Sequence, residues 1–232
     1  MKSFQQKLAH LMAMATIMIT GLLYITSCRH DNEILVSNGP AIVRGTQVLN
    51  LPADSKLTFE KSHSNINWST PYMGSLSTLT GRFNTFGVTS FNFDETNAAA
   101  INFEAWVWVN SVNTSEPGRD GGCLQTTFGT TTAMTTEAAN VAIIKSKSVE
   151  LSTTDKGYVV KFDLTFHGVT KEITGKLMFE GKATSGSGAT LKYKYGFSFD
   201  FQFLAQTDFG IVSSNIADKV DISCNAIFTQ LP

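Results

Sequence analysis

The chain has 232 residues, 42% of them hydrophobic and 16% charged, with a formal net charge of −1. That composition is enough for one sizeable apolar core and rules against a disordered chain. No run of like charge occurs anywhere, so no basic field points to nucleic acid as a partner.

Lys2 and Lys7 precede an uncharged apolar run from Leu8 to Ile25, which closes on Ile25-Thr26-Ser27-Cys28. A short positive start, an apolar core and a small-residue exit are the layout of a secretory signal peptide. Its end resembles a bacterial lipobox, in which the cysteine after the small residues is acylated. The expectation is a signal peptide over 1–27, lipidation at Cys28 and a mature chain of 205 residues. A transmembrane helix is the competing reading, but Ala, Thr and His10 dilute a run that is barely long enough to span. A lipidated chain would sit in the bacterial cell envelope, anchored to a membrane at the periplasmic face or the cell surface. Residues 28–55 read as a tether, with turn signals at Asn38-Gly39-Pro40 and Leu51-Pro52. Asp31 and Glu33 resemble the surface-export signals of some bacterial lipoproteins.

From residue 56 to the end at Pro232, the pattern is that of a single β domain. Leu57-Thr58-Phe59 leads in, and Ile66, Trp68 and Thr70 alternate with polar residues. Strands follow at Leu79–Phe86, Ser90–Asp94 and Ile101–Val109, the last with Trp106 and Trp108 on the face opposite Phe103, Ala105 and Val107. Segment 111–140 breaks the alternation with Pro117-Gly118, Gly121-Gly122 and a Thr-rich run, and reads as a long loop with one short helix near Asp120–Phe128. Strands resume at Val141–Ile144 and Ser148–Leu151. A hairpin over Val160–Gly181 then sets Val160, Phe162, Leu164 and Phe166, with Ile173, Gly175, Leu177 and Phe179, on one face. Its turn is expected over Gly168–Lys171. The closing strands are Leu191–Phe203 and Val220–Phe228.

Eight to ten such strands with almost no helical periodicity imply an all-β antiparallel sandwich or barrel. One closed layer of about eight strands would bury every apolar face on its inside. The inward set is unusually aromatic: Phe83, Phe91, Phe93, Phe103, Phe162, Phe166, Phe179, Phe197, Phe199 and Phe201, with Leu164 beside them. At that strand number the interior is either filled by side chains or holds one small ligand, and the residues alone leave both open.

Several blocks in order resemble the YceI-like family of exported, lipocalin-like barrels. They are His63-Ser64-Asn65-Ile66-Asn67-Trp68, Gly81–Phe86, Phe91–Asp94, Asn110–Thr114 with Arg119-Asp120 and Leu124, Leu164–Lys171, and Thr207–Ile211. They cover roughly Leu57 to Phe228. The resemblance implies an eight-stranded lipocalin-like barrel whose tunnel holds a polyisoprenoid, with the phenylalanines and Leu164 lining it and no enzymatic activity. It departs at Pro71-Tyr72 and Gly121-Gly122-Cys123, where family members often carry histidines, and in a Thr-rich insertion at Thr130–Thr136.

Other motifs carry less. Asp208-Phe209-Gly210 matches a kinase triplet without the accompanying loops, and reads as a turn. His63 and His167 have no partner at metal spacing, and no catalytic constellation can be assembled, so no cofactor, metal or catalytic residue is expected. Arg119-Asp120 is either a loop ion pair or, through Arg119, a contact for a polar head group. Cys123 and Cys224 are either a disulfide or two free thiols. Two functions follow: a non-enzymatic binder of a polyisoprenoid or similar lipid, or an envelope interaction protein with a filled barrel and no lumen ligand. The expected partners are the lipid and the membrane, and a homodimer stays open.

Overall fold

Alternating apolar and polar residues become ten antiparallel strands in one curled sheet, seen in a computed structural model that describes residues 57–232 apart from 130–139, 155 and 214–215. The expected signal peptide, Cys28, the tether and the insertion at Thr130–Thr136 lie outside the described residues. The strands are β1 (Thr58–Tyr72), β2 (Ser77–Phe83), β3 (Phe86–Asn92), β4 (Asn102–Trp108), β5 (Val112–Asn113), β6 (Val141–Leu151), β7 (Tyr158–Phe166), β8 (Val169–Ser185), β9 (Lys192–Leu204) and β10 (Lys219–Gln230). Two helices interrupt them, α1 (Pro117–Phe128) and α2 (Ala205–Phe209). The strand order is β3-β4-β6-β7-β8-β9-β10-β1-β2-β5.

Ten strands rather than about eight arise because two paths change partner midway. β2 and β3 are successive stretches of one path, broken only at Asn84-Thr85, and β4 and β5 form another, broken by a 3-10 turn at Val109–Ser111. At the break the paths cross-tie. Asn84 N–H donates to Ser111 O at 3.0 Å, Trp108 N–H to Thr85 O at 2.9 Å, and Thr85 N–H to Ser111 Oγ at 2.9 Å. Toward the α1 end, called upper here, β2 pairs with β1 and β5; below the break, β3 pairs with β4 alone.

The β7–β8 hairpin shows the expected face. Phe162 opposes Ile173 and Tyr158 opposes Leu177, and Val160, Phe162, Leu164, Phe166 and Leu177 are buried. The turn is His167-Gly168, not Gly168–Lys171: Phe166 pairs directly with Val169, and both turn residues have positive φ, 52° and 71°. Two-residue hairpin turns of that kind match the right-handed strand twist, and Gly168 takes the second position at no steric cost.

Bulges re-aim four strands, β3 among them with a register shift between Val88 and Ser90. β6 is one strand with an irregularity between Ser146 and Ser148 where the sequence suggested two, and β8 is shifted between Phe179 and Gly181. β1 carries the largest, between Glu60 and Asn65. Ser64 Oγ stitches it by donating to Glu60 O at 2.7 Å and accepting from Ile227 N–H at 2.9 Å.

Helix α1 begins three residues before the expected start. Pro117 suits the first turn, and the Glu116 side chain accepts from Gly118 N–H, satisfying an orphan donor. The short α2 was expected as a loop. Its N–H groups at Gln206 and Thr207 donate to Asp218 Oδ1 at 2.6 and 3.0 Å, so Asp208-Phe209 belongs to a helical turn closed by Gly210 at φ 68°.

Candidate functional site: an apolar lumen

Inward phenylalanines from both halves of the sheet meet edge to face. Phe162 packs on Phe199 and Phe201 at 5.3 and 5.0 Å, and Phe103 on Phe199 at 5.2 Å, geometry that aromatic quadrupoles favour. Both ends of the barrel are stoppered by rings. At the upper end Phe128 of α1 sits on Trp68 and Phe83 at 5.3 and 5.2 Å. At the lower end Phe93 meets Phe197, Phe179 and Tyr158 at 4.8, 5.6 and 5.7 Å.

Between the stoppers lie two chambers, an upper one of about 70 Å³ and a lower one of about 80 Å³. Phe83, Leu164, Phe166 and Phe201 border the upper chamber, and Phe91, Phe103, Phe197 and Phe199 the lower. Ile66, Ala105, Ile144 and Cys224 border both, so the chambers lie back to back. Phe93, Phe162 and Phe179 line neither; they are packing rings. The small residue Ala105 and the cross-wall pair Ile66 and Ile144 were not singled out from the sequence, because alternation gives a face and not its depth. The lower chamber also takes Phe59, Phe86 and Val88, from strands whose apolar phase is short.

Arg119 stands apart from this lumen. It is exposed, and its Nη2 donates to Thr114 O at 3.0 Å. Asp120 Oδ1 accepts from Thr114 N–H at 2.8 Å and from Thr114 Oγ1 at 2.6 Å. Both side chains thus turn back on Thr114 and fasten the start of α1 to the end of β5. His167 fastens its other end through Nε2 and Phe128 O, 2.6 Å apart. His63 is tied to Glu60, which also pairs with Lys194 at 3.0 Å. Trp106 lies against Gly87, and Trp68 lies against Gly81. A side chain at residue 81 would meet the Trp68 ring at 2.7 Å, so that glycine leaves room for the indole. A broader groove of about 830 Å³ runs past Asn67, Ser69, Arg82, Asp200 and Asp221, and it shares Phe201 and Ile222 with the lining of the upper chamber.

Cys123 and Cys224 are both free thiols. Burial, aided by the Asp200 carboxylate, pushes the Cys224 thiol well above its ordinary value, to about 12. Its partial accessibility is to the chambers it borders. The folded state holds this thiol protonated, whereas an unfolded thiol ionises near about 8.5. The stabilisation is therefore fully present below about pH 8.5 and is lost as pH rises toward the folded value. Burial raises Cys123, Tyr158 and Tyr195 in the same sense. Between about pH 9 and 10, Cys224 is expected to contribute a loss approaching about 1.4 kcal/mol per pH unit. Urea titrations of Cys224→Ala should show a correspondingly flatter decline; an unchanged slope would mean the thiol is not held in an apolar setting.

Among the described residues no cluster of three metal-ligating side chains occurs, and no helix is long and apolar enough to cross a membrane.

Comparison with known proteins matches this chain to one family. A family model described as the YceI-like domain matches residues 57–228. Protein YceI of Shigella flexneri is 33% identical over 166 residues, which are 71% of this chain and 82% of that protein. Among solved structures, BcnA of Burkholderia cenocepacia superposes with a TM-score of 0.55 at 17% identity, over 73% of this chain and 98% of that one. A polyisoprenoid binding domain from Saccharophagus degradans, implicated in plant cell wall breakdown, superposes with a TM-score of 0.50 at 17% identity, over 76% and 99%. At those identities the likeness is one of fold.

Proposed function

The chain belongs to the YceI-like family, and from that premise we propose that its barrel is a non-enzymatic binder of a polyisoprenoid or similar long-chain lipid. The observation that carries this reading is the back-to-back pair of apolar chambers along the inside of the barrel. Desolvation supplies the affinity: each methylene taken from water contributes about 0.8 kcal/mol, less the cost of ordering a flexible chain. Their combined volume is on the order of the 150 Å³ that accommodates a benzene-sized guest. A chain of tens of carbons therefore needs the bordering rings, Phe91, Phe199 and Phe201 foremost, to swing aside. The binding site is a collapsed lumen that the lipid opens.

That same small volume favours the second reading, a filled barrel acting through its outer loops. Mass spectrometry of organic extracts from protein purified out of its own host separates them. A co-purifying isoprenoid or acyl lipid is expected. A clean extract, together with no uptake of added geranylgeraniol, would leave the filled barrel.

The lipoprotein reading completes the proposal: acylation at Cys28 holds the domain at the envelope membrane. One acyl chain anchors marginally and two or more stably. Cys28→Ala is expected to move the protein from the membrane fraction to the soluble one; a mutant still bound after a carbonate wash contradicts the anchor.

A further inference from the structure

The two places where strands change partner leave two gaps in the wall, and they are treated differently. Above the break, β5 pairs only with β2, and α1 follows it directly, fastened by Asp120 to Thr114 and by its Phe128 carbonyl to His167. Below the break, β3 pairs only with β4, while the first half of β1, Thr58 to Asn65, pairs only with β10. No backbone ladder joins β3 to β1. What crosses this seam is side chain: Phe59 meets Phe86 edge to face at 6.2 Å, and Lys61 Nζ lies 5.4 Å from the centre of the Phe86 ring.

The lower chamber lies directly behind the seam, bordered by Phe59 and Ile66 on one side and by Phe86, Val88 and Phe91 on the other. Phe59, Val88 and Phe91 are half-buried, in contrast to the stoppers at the barrel ends, where Trp68, Phe93, Phe128 and Phe197 are each 2% exposed. Outside the upper gap, which α1 covers, parting any other stretch of wall breaks a ladder of backbone hydrogen bonds and leaves donors unpaired in an apolar setting. Parting the seam needs only ring rotation, which is fast and leaves the ladders whole. The large bulge of β1 sits at its edge and bends that strand away from straight pairing.

We propose that the β1–β3 seam is the portal through which an apolar chain enters and leaves the lumen sideways, with Phe59 and Phe86 as its leaves. This rests on reading the lumen as a lipid site. A lateral slit admits an extended chain along its length and lets a polar head group stay outside.

Stopped-flow fluorescence with the full-length protein and NBD-labelled geranylgeraniol tests it. Phe59→Ala is expected to raise the association and dissociation rates together by about tenfold, leaving Kd within about threefold. Phe59→Leu should fall between Phe59→Ala and the parent, and it replaces Phe59→Ala if that variant does not fold. Asp120→Ala, which loosens α1, is expected to leave both rates unchanged. Acceleration by Asp120→Ala, alone or equally with Phe59→Ala, overturns the portal in favour of the α1 end or of general loosening. Unchanged rates in both overturn it as well. A rise in dissociation alone, with weaker Kd, makes Phe59 an ordinary wall contact and also overturns it. Absence of probe binding in the parent protein removes the lipid reading itself, and the portal with it.

Discussion

Phe162→Ala is expected to destabilise the domain by about 3–5 kcal/mol, the range for deleting a fully enclosed ring. Phe162 is 0% exposed and borders neither chamber, so every side of its ring is in contact with protein. Its edge-to-face partners Phe199 and Phe201 are held on β9, and its backbone lies between Ser146 of β6 and Ile173 of β8. Three laddered strands cannot close over the hole, and the cost rises when a site cannot collapse. Phe91 provides the contrast. It is half-buried, borders the lower chamber and sits at the seam, so Phe91→Ala should cost less than half as much. Phe199→Ala should fall between them, since one side of that ring already faces free space. Urea unfolding of the three variants measures the order. A Phe162→Ala loss below about 1.5 kcal/mol, or one no greater than that of Phe91→Ala, would show an interior too soft to have a fixed packing core.

The division between packing rings and chamber rings was invisible in the sequence, and the reason is geometric. Period-two alternation assigns Phe162, Phe199 and Phe201 to one face with equal weight, because each simply occupies the inward phase of its strand. Whether a ring lines free space depends on what stands across the barrel, from strands a hundred residues away. The same rule explains which elements were legible. The β7–β8 hairpin and the closing strands β9 and β10 have long, unbroken alternation, and their inward phases are the observed ones. The partner change at Asn84-Thr85 could not be read: Phe83 and Phe86 end and begin apolar phases with nothing in the residues to say that one half pairs with β1 and the other does not. The seam was therefore hidden. Arg119 shows a different failure. A guanidinium beside a strand end is equally suited to a ligand oxygen and to a carbonyl, and here the carbonyl of Thr114 has it. The β7–β8 turn slipped because His167 at φ 52° takes a conformation uncommon outside glycine, which displaces the turn toward the N-terminus.

If the lumen binds a lipid chain, Ala105 is where it can be blocked with least harm to the fold. Ala105 lies on β4 between Val88 and Ile144, one step in phase from Phe103, and borders both chambers. A phenyl ring at this position projects into the space where the chambers meet, and one benzene-sized group is about what they hold together. Ala105→Phe therefore fills free volume instead of displacing neighbours, and its effect on stability should stay within about 1.5 kcal/mol. A chain lying through both chambers would lose at least three or so methylene positions, at about 0.8 kcal/mol each, which is on the order of a hundredfold in Kd. Titration of NBD-labelled geranylgeraniol against the parent, Ala105→Ser and Ala105→Phe reads this directly, with Ala105→Ser expected to bind within about threefold of the parent. Because the ring sits behind the seam and not in it, Ala105→Phe should weaken equilibrium binding, whereas Phe59→Ala should change rates at constant Kd. Affinity that survives Ala105→Phe would mean that the bound chain does not pass the middle of the barrel, and would move the lipid site out of the lumen.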